Sequence, residues 1–157
     1  MTVTDTAPIR VLFLCTHNSA RSQMAEGLLR YLGGNEFAAF SAGTEVTRVH
    51  PLTIVAMREI GVDISGHRSK SLAEFIGQPF DAVVTVCDNA NATCPTFPGK
   101  TRRLHWSLPD PSAVTGTEAA QLAAFRAVRD ELARLLPPFI AAERQARHSA
   151  HPTAVLA

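Results

Sequence analysis

Cys15 and Arg21 stand six positions apart in the stretch Cys15-Thr16-His17-Asn18-Ser19-Ala20-Arg21-Ser22. The cysteine ends an apolar run and the arginine opens a helical one. Between them lie small and polar residues that can turn the backbone. A loop joining a buried strand to a helix can direct successive amide N–H groups at one point. Together with the helix N-terminus they make a site for a tetrahedral oxyanion. Arg21 adds a planar, bidentate donor. The same field favours a thiolate at Cys15, and the Ser22 hydroxyl can donate to that sulfur. The expected oxyanion loop is therefore Thr16, His17, Asn18, Ser19, Ala20, Arg21 and Ser22. An isolated cysteine at a strand end reads as an inert core thiol. The C-x5-R-S arrangement favours a nucleophile instead.

Two more thiols follow. Cys87 ends the apolar run 80–86, and Cys94 closes the stretch CDNANATC that begins with it. An odd count of three in a chain with ample core does not suit a disulfide-stapled scaffold. Zinc sites favour tighter cysteine pairs, and a closed site here would need a histidine as well. No metal is expected, and thiol redox chemistry fits the spacing better. Asp110 precedes Pro111 in a polar loop. Asp-Pro is ordinarily only a turn, but a carboxylic acid at the rim of an anion site can protonate a departing oxygen. His17 can tune the nucleophile or line the pocket. His105 reads as structural, His50 and His67 as surface loop residues, and His148 and His151 as tail residues without a role.

Positioning these groups requires a scaffold. Ile9 to Leu14 is short, apolar and β-branched, as a strand buried on both faces would be. Gln23 to Leu32 has helical spacing, with Met24, Leu28, Leu29 and Leu32 on one side and Gly33-Gly34 at its end. Phe37 to Phe40 is a second strand, closed by Ser41-Ala42-Gly43-Thr44. Pro51 opens a helix running to Gly61. Ser69 to Ile76 predicts a short helix, Phe80 to Val86 a buried strand and Arg102 to Trp106 another. After the loop 107–116, Thr117 to Leu136 is a long amphipathic helix. Pro137-Pro138 is expected to end or kink it. Strands alternating with helices predict one α/β domain with a parallel sheet covered on both faces. Function collects at the carboxyl ends of such strands, where Cys15, Ser41, Cys87 and Asp110 fall. The expected division is a flexible 1–8, a domain over 9–142 and a flexible tail over 143–157.

Composition narrows the classes further. The 157 residues are 46% hydrophobic and 18% charged, so disorder is excluded. The net charge of +1 argues against a nucleic-acid partner. No apolar run is long enough for a membrane span, and MTVTDTAPIR does not read as a signal peptide. A cytoplasmic monomer is expected, in a compartment where thiols stay reduced unless chemistry oxidises them.

The stretch CTHNSARSQMAE, from Cys15 to Glu26, resembles the phosphate loop of the low-molecular-weight tyrosine phosphatase fold. More closely, it is similar to the arsenate reductases built on that fold. The resemblance runs from about Ile9 to about Ile140. It covers Phe40-Ser41-Ala42-Gly43, Gly61 to Ser65, Val83 to Cys87, His105-Trp106 and Asp110-Pro111. It implies a four-stranded parallel sheet flanked by helices, arsenate as substrate and phosphate or sulfate as competing anions. It also implies a three-cysteine relay, with Cys15 as nucleophile, Cys87 as attacker and Cys94 as resolver. Asp110 would be the acid, and thioredoxin the external reductant of a protein with no bound cofactor. The relay asks Cys87 to meet Cys15 and then Cys94, so the 87–94 segment is expected to move.

In related reductases, residues matching Asn18, Glu26 and Ser41 join a carboxylate to bind potassium. Lys70 stands where that carboxylate would be, so its ammonium is expected to replace the cation and pair with Glu26, with no potassium site and little potassium dependence. Two other readings stay open. One is a tyrosine phosphatase, although Asp110-Pro111-Ser112-Ala113 offers no aromatic wall for a substrate ring; weak side phosphatase activity is expected in either case. The other is a non-catalytic protein that captures arsenite on its thiols.

Overall fold

Every residue of the run Ile9–Cys15 except Arg10 is apolar, and the run forms the central strand β1, buried almost throughout. The computed structural model describes residues 7–150. Strands β2 (Phe37–Gly43), β3 (Ala82–Thr85) and β4 (Arg102–His105) complete one parallel sheet in the order β2-β1-β3-β4. The expected α/β class and four-stranded sheet are therefore found. β2 is longer than its sequence signal, because Ser41, Ala42 and Gly43 continue the pairing as far as Cys15.

The register sets the two faces. Leu12 lies beside Phe40 and Val83, and Phe13 beside Ser41 and Val84. On the first face Phe40, Phe75, Phe80 and Phe97 pack edge to face, with centroids 5.5–6.0 Å apart. Such edge contacts suit the ring quadrupole. On the second, Phe13 packs on Trp106 and Phe139. Helices α1 (Arg21–Gly33), α2 (Pro51–Arg58) and α4 (Glu118–Ala150) pack on one another, and α1 also lies on the sheet. The helix α1 starts at Arg21, and its buried stretch runs unbroken from Ser22 to Leu29. Leu32 is 41% exposed and lies off the core side expected of it. The predicted helix 69–76 is a single 3-10 turn, Leu72–Glu74, capped by the Ser71 hydroxyl.

Two expectations fail for tertiary reasons. The stretch after Cys87 is a helix, α3 (Asp88–Thr93), rather than a loop. And Pro137-Pro138 does not end α4, the first of the two outcomes expected of it, since the helix continues to Ala150. Each internal proline removes a helical hydrogen bond and crowds the preceding turn, at a cost of ~3 kcal/mol or more. Burial on both sides offsets it: Leu132 and Leu136 before the prolines and Phe139 and Ile140 after them are buried on one face. Beyond them, buried Glu143 pairs with Arg102, and Arg144 pairs with Glu36 at 2.7 Å. The expected flexible tail is thus helical over 143–150. Its remainder, 151–157, and most of the expected flexible N-terminus, 1–6, lie outside the described residues.

Phe139 tests this continuation. Phe139→Ala should lower unfolding free energy by roughly 3–5 kcal/mol in a urea titration. A near-neutral effect would mean that the helix does not pack beyond its prolines.

Candidate active site

β1 delivers Cys15 to the carboxyl edge of the sheet, and α1 begins at Arg21. The four carbonyls from Thr16 to Ser19 all point outward. Thr16 O accepts from Glu45 N at 2.8 Å, and His17 O from Ser69 Oγ at 2.9 Å. Asn18 O accepts from Gln23 Nε2 at 3.2 Å, and Ser19 O from His50 N and Thr53 Oγ1 at 3.0 Å each. A planar trans peptide sets its N–H opposite its C=O, and among the described residues no peptide bond is cis. The amides of His17, Asn18, Ser19 and Ala20 therefore face inward, toward Cys15. Asn18 N shows this directly, donating to Cys15 Sγ at 3.2 Å.

Asn18 adopts φ +51°, a left-handed conformation that asparagine tolerates. Its side chain is fully buried and spent inside the protein. Oδ1 accepts from Lys70 N and Gln23 Nε2, both at 2.8 Å. Nδ2 donates to Ser22 Oγ at 2.8 Å. Ser22 then has its own proton free for Cys15 Sγ, 2.8 Å away. Behind this chain, Gln23 Oε1 accepts from His67 Nδ1 at 2.9 Å. That assigns the ring proton to Nδ1 and leaves Nε2 to accept from Arg30 at 3.0 Å. Burial pushes the His67 pKa below the ordinary histidine value, against the pull of Glu26, so the neutral ring suits its place.

Sequence reading missed Gln23, whose signal was a polar residue amid the apolar face of a helix. It also misplaced two histidines. His67 is part of this support, and His50 caps α2 through Leu52 N and packs its ring 4.7 Å from Phe125.

Arg21 is nearly buried and anchored by a hydrogen bond to Leu108 O at 3.1 Å. Its other terminal nitrogen lies 3.9 Å from Asp110 Oδ2. Burial raises the Asp110 carboxyl, but hydrogen bonds from Ser112 and the charge of Arg21 outweigh it, holding the pKa below the ordinary value. Cys15, His17, Ser19, Ala20, Arg21, Asp110 and Ser112 line one small cleft. His17 sits at its mouth, 3.6 Å from Glu45.

All three cysteines are free thiols. Thr16 turns its hydroxyl away from the loop toward Cys87 Sγ, at 3.3 Å, where it also receives Asn89 Nδ2 at 3.4 Å. Cys87 caps α3 by accepting from Ala90 N at 3.3 Å. Cys94 follows the last turn of α3, half-buried, and its thiol donates to Pro95 O at 3.5 Å. Burial pushes the Cys94 pKa up, opposed by the charge of Arg103.

Glu26, Ser41 and Lys70 meet behind the loop. Ser41 Oγ donates to Glu26 Oε1 at 2.5 Å, and Lys70 Nζ lies 3.5 Å from that oxygen and 3.4 Å from Ser41 Oγ. Arg68 O accepts from the ammonium at 3.0 Å. Burial lowers the Lys70 pKa, against Glu26. Asn18 meets Lys70 only through its backbone amide.

A cysteine in an inward-facing amide loop, followed by an arginine at a helix start, defines a phosphate-loop cysteine enzyme on a parallel α/β sheet. The family model of the low molecular weight phosphotyrosine protein phosphatases matches residues 10–149, and the chain belongs to that family. It is 43% identical over 129 residues to an arsenate reductase of Halalkalibacterium halodurans, covering 82% of this chain and 93% of that one. A solved arsenate reductase in its oxidized state superposes with a TM-score of 0.73 at 34% identity, over 86% and 98% of the two chains. A thioredoxin-dependent arsenate reductase of Corynebacterium glutamicum matches with a TM-score of 0.63 at 30% identity, over 87% and 63%.

Gly43 was not singled out by sequence. A Cβ there would meet Thr16 O at 2.6 Å and Asn18 N at 2.8 Å, both backbone atoms that cannot swing aside. Gly43→Ala should weaken inorganic phosphate binding about tenfold or more in a calorimetric titration, a shift of ~1.4 kcal/mol. Unchanged affinity would mean that the loop does not depend on this close approach.

Proposed function

We propose that this protein is an arsenate reductase that turns arsenate into arsenite with electrons from its own thiols. The carrying observation is the placement of the thiols. Cys15 lies within the amide loop, Cys87 is joined to it through Thr16, and Cys94 stands one helix away.

Arsenate matches phosphate in shape and charge, so the inward amides and Arg21 hold it against Cys15. The Cys15 thiolate forms an S–As bond while an As–O bond breaks and the oxygen leaves as water. Asp110 supplies the proton. In the empty cleft its carboxyl favours ionisation, and the negative charge of bound oxyanion raises its pKa toward the protonated form. The Cys87 thiolate then attacks Cys15 Sγ. The S–As electron pair stays on arsenic, which falls from +5 to +3 and departs as arsenite. Cys94 attacks Cys87, freeing Cys15 as a thiolate, and thioredoxin reduces the Cys87–Cys94 disulfide with two electrons.

Helix α3 stands in the way of the last exchange. Seven helical steps of ~1.5 Å separate Cys87 from Cys94 by ~10 Å, whereas a disulfide needs Cα atoms ~4.4–6.8 Å apart. The helix must therefore unwind during turnover.

Lys70 takes the place of a bound cation behind the loop and shares Glu26 with Arg30, which pairs with its other oxygen at 2.7 Å, so no potassium is required. The shared loop and acid also support slow hydrolysis of small aryl phosphates. Among the described residues no helix is long and apolar enough to cross a membrane. A monomer acting in the cytoplasm fits this chemistry.

With thioredoxin, thioredoxin reductase and NADPH, arsenate-dependent turnover should vanish in Cys15→Ser, Cys87→Ser and Cys94→Ser. Full turnover without Cys94 would contradict the relay. Asp110→Asn should slow the arsenate step roughly 100- to 10,000-fold while leaving reduction of a preformed Cys87–Cys94 disulfide unchanged. Equal rates in potassium and sodium chloride are expected at matched ionic strength, and a large gain with potassium would remove the role given to Lys70.

A further inference from the structure

β4 carries Arg103 and His105 two positions apart, so both project from one side of the strand. Helix α3 lies against that side. His105 Nε2 is 2.8 Å from Asp88 Oδ1, in the first turn of α3, and the charge of Arg103 reaches Cys94 just past the last turn. Ser107 Oγ donates to the same Asp88 oxygen at 3.0 Å. The other ring nitrogen, His105 Nδ1, is 2.7 Å from Thr85 Oγ1 on β3. Nε2 thus faces the carboxylate while Nδ1 faces the Thr85 hydroxyl. Thr85 Oγ1 also lies 3.2 Å from Asn91 Oδ1, one turn further along α3. The ring is thus braced on the sheet at one nitrogen and holds the helix with the other.

None of these groups lines the oxyanion cleft. Yet α3 is the element that must open before Cys94 can reach Cys87. We propose that the His105–Asp88 clasp, braced by Thr85 and Ser107, sets how readily α3 unwinds and thereby the rate of the final thiol exchange. The inference rests on the relay reading. In the step concerned, Cys94 sulfur bonds to Cys87 sulfur and Cys15 leaves as a thiolate, with no net gain or loss of electrons. His105 and Asp88 are positioning residues that act through α3. Because Asp88 is largely exposed, losing the clasp should change the opening equilibrium by only about two- to fivefold.

His105→Ala, Asp88→Ala and the double variant provide the test. His105 lies outside α3, so its loss leaves the helix's own sequence intact. Two measurements are made on each: hydrogen exchange of the α3 amides in the reduced protein, and the rate of Cys87–Cys94 disulfide formation after arsenate, read by alkylation and mass. Each single variant should speed both about two- to fivefold, and the double no further, as a shared contact requires. In a Cys94→Ser background, arsenate-driven Cys15–Cys87 formation should not change. Wild-type exchange and rates in both single variants would overturn the clasp, as would fully additive effects. A wild type that forms no Cys87–Cys94 disulfide would sink the relay, and the exchange measurement would still decide the clasp. Should His105→Ala fold poorly, Ser107→Ala takes its place with the same expectation.

Discussion

The site depends on one constraint: the carbonyls from Thr16 to Ser19 are all engaged on the outside of their loop. A peptide unit has two polar ends, and fixing one fixes the other. Glu45, Ser69, Gln23, His50 and Thr53 are the partners that do this. They come from four different stretches of chain, so the inward amides are a product of the whole fold. Without them the six residues between Cys15 and Ser22 would be a polar loop with no preferred centre. Because the donors are held in place before an anion arrives, binding need not reorganise them, which is where preorganised dipoles act most strongly.

The same fixing reaches Cys15 from behind. Gln23 holds Asn18, Asn18 directs Ser22, and Ser22 turns its proton to sulfur. A net charge of +1 leaves no bulk field to draw in an oxyanion. In the proposed function the attraction is local, from Arg21, the amides and the start of α1. At Cys87 begins a six-residue helix, far shorter than one stable alone, and it separates two thiols that the proposed relay must join. That relay asks the anion loop to hold still and the helix to move.

The geometry of the loop was legible in sequence because it is local. Cys15, Arg21 and Ser22 need only a strand, a turn and a helix in succession, and each announces itself by composition. Asp110 and the pairing of Glu26, Ser41 and Lys70 were legible only through resemblance, since nothing in the chain near them says what they face. Gly43 and His67 act on residues more than 20 positions away, and Gln23 ties Asn18 to His67 and Arg68 across a similar gap, a distance that no window reads. The stretch DNANAT is poor in helix formers, and its helix exists through the Cys87 cap and contacts to β3 and β4. Likewise, Pro137-Pro138 carries a strong stop signal that burial of Phe139 and Ile140 overrides.

In the proposed relay, three thiols on one chain carry two electrons to arsenic. A single turnover tests it most directly. Fully reduced protein is mixed with excess arsenate and no external reductant, released arsenite is counted, and the disulfide is mapped by mass. One arsenite per chain and a disulfide between Cys87 and Cys94 are expected, with Cys15 free. No arsenite, or arsenite released while all three thiols stay reduced, would contradict it.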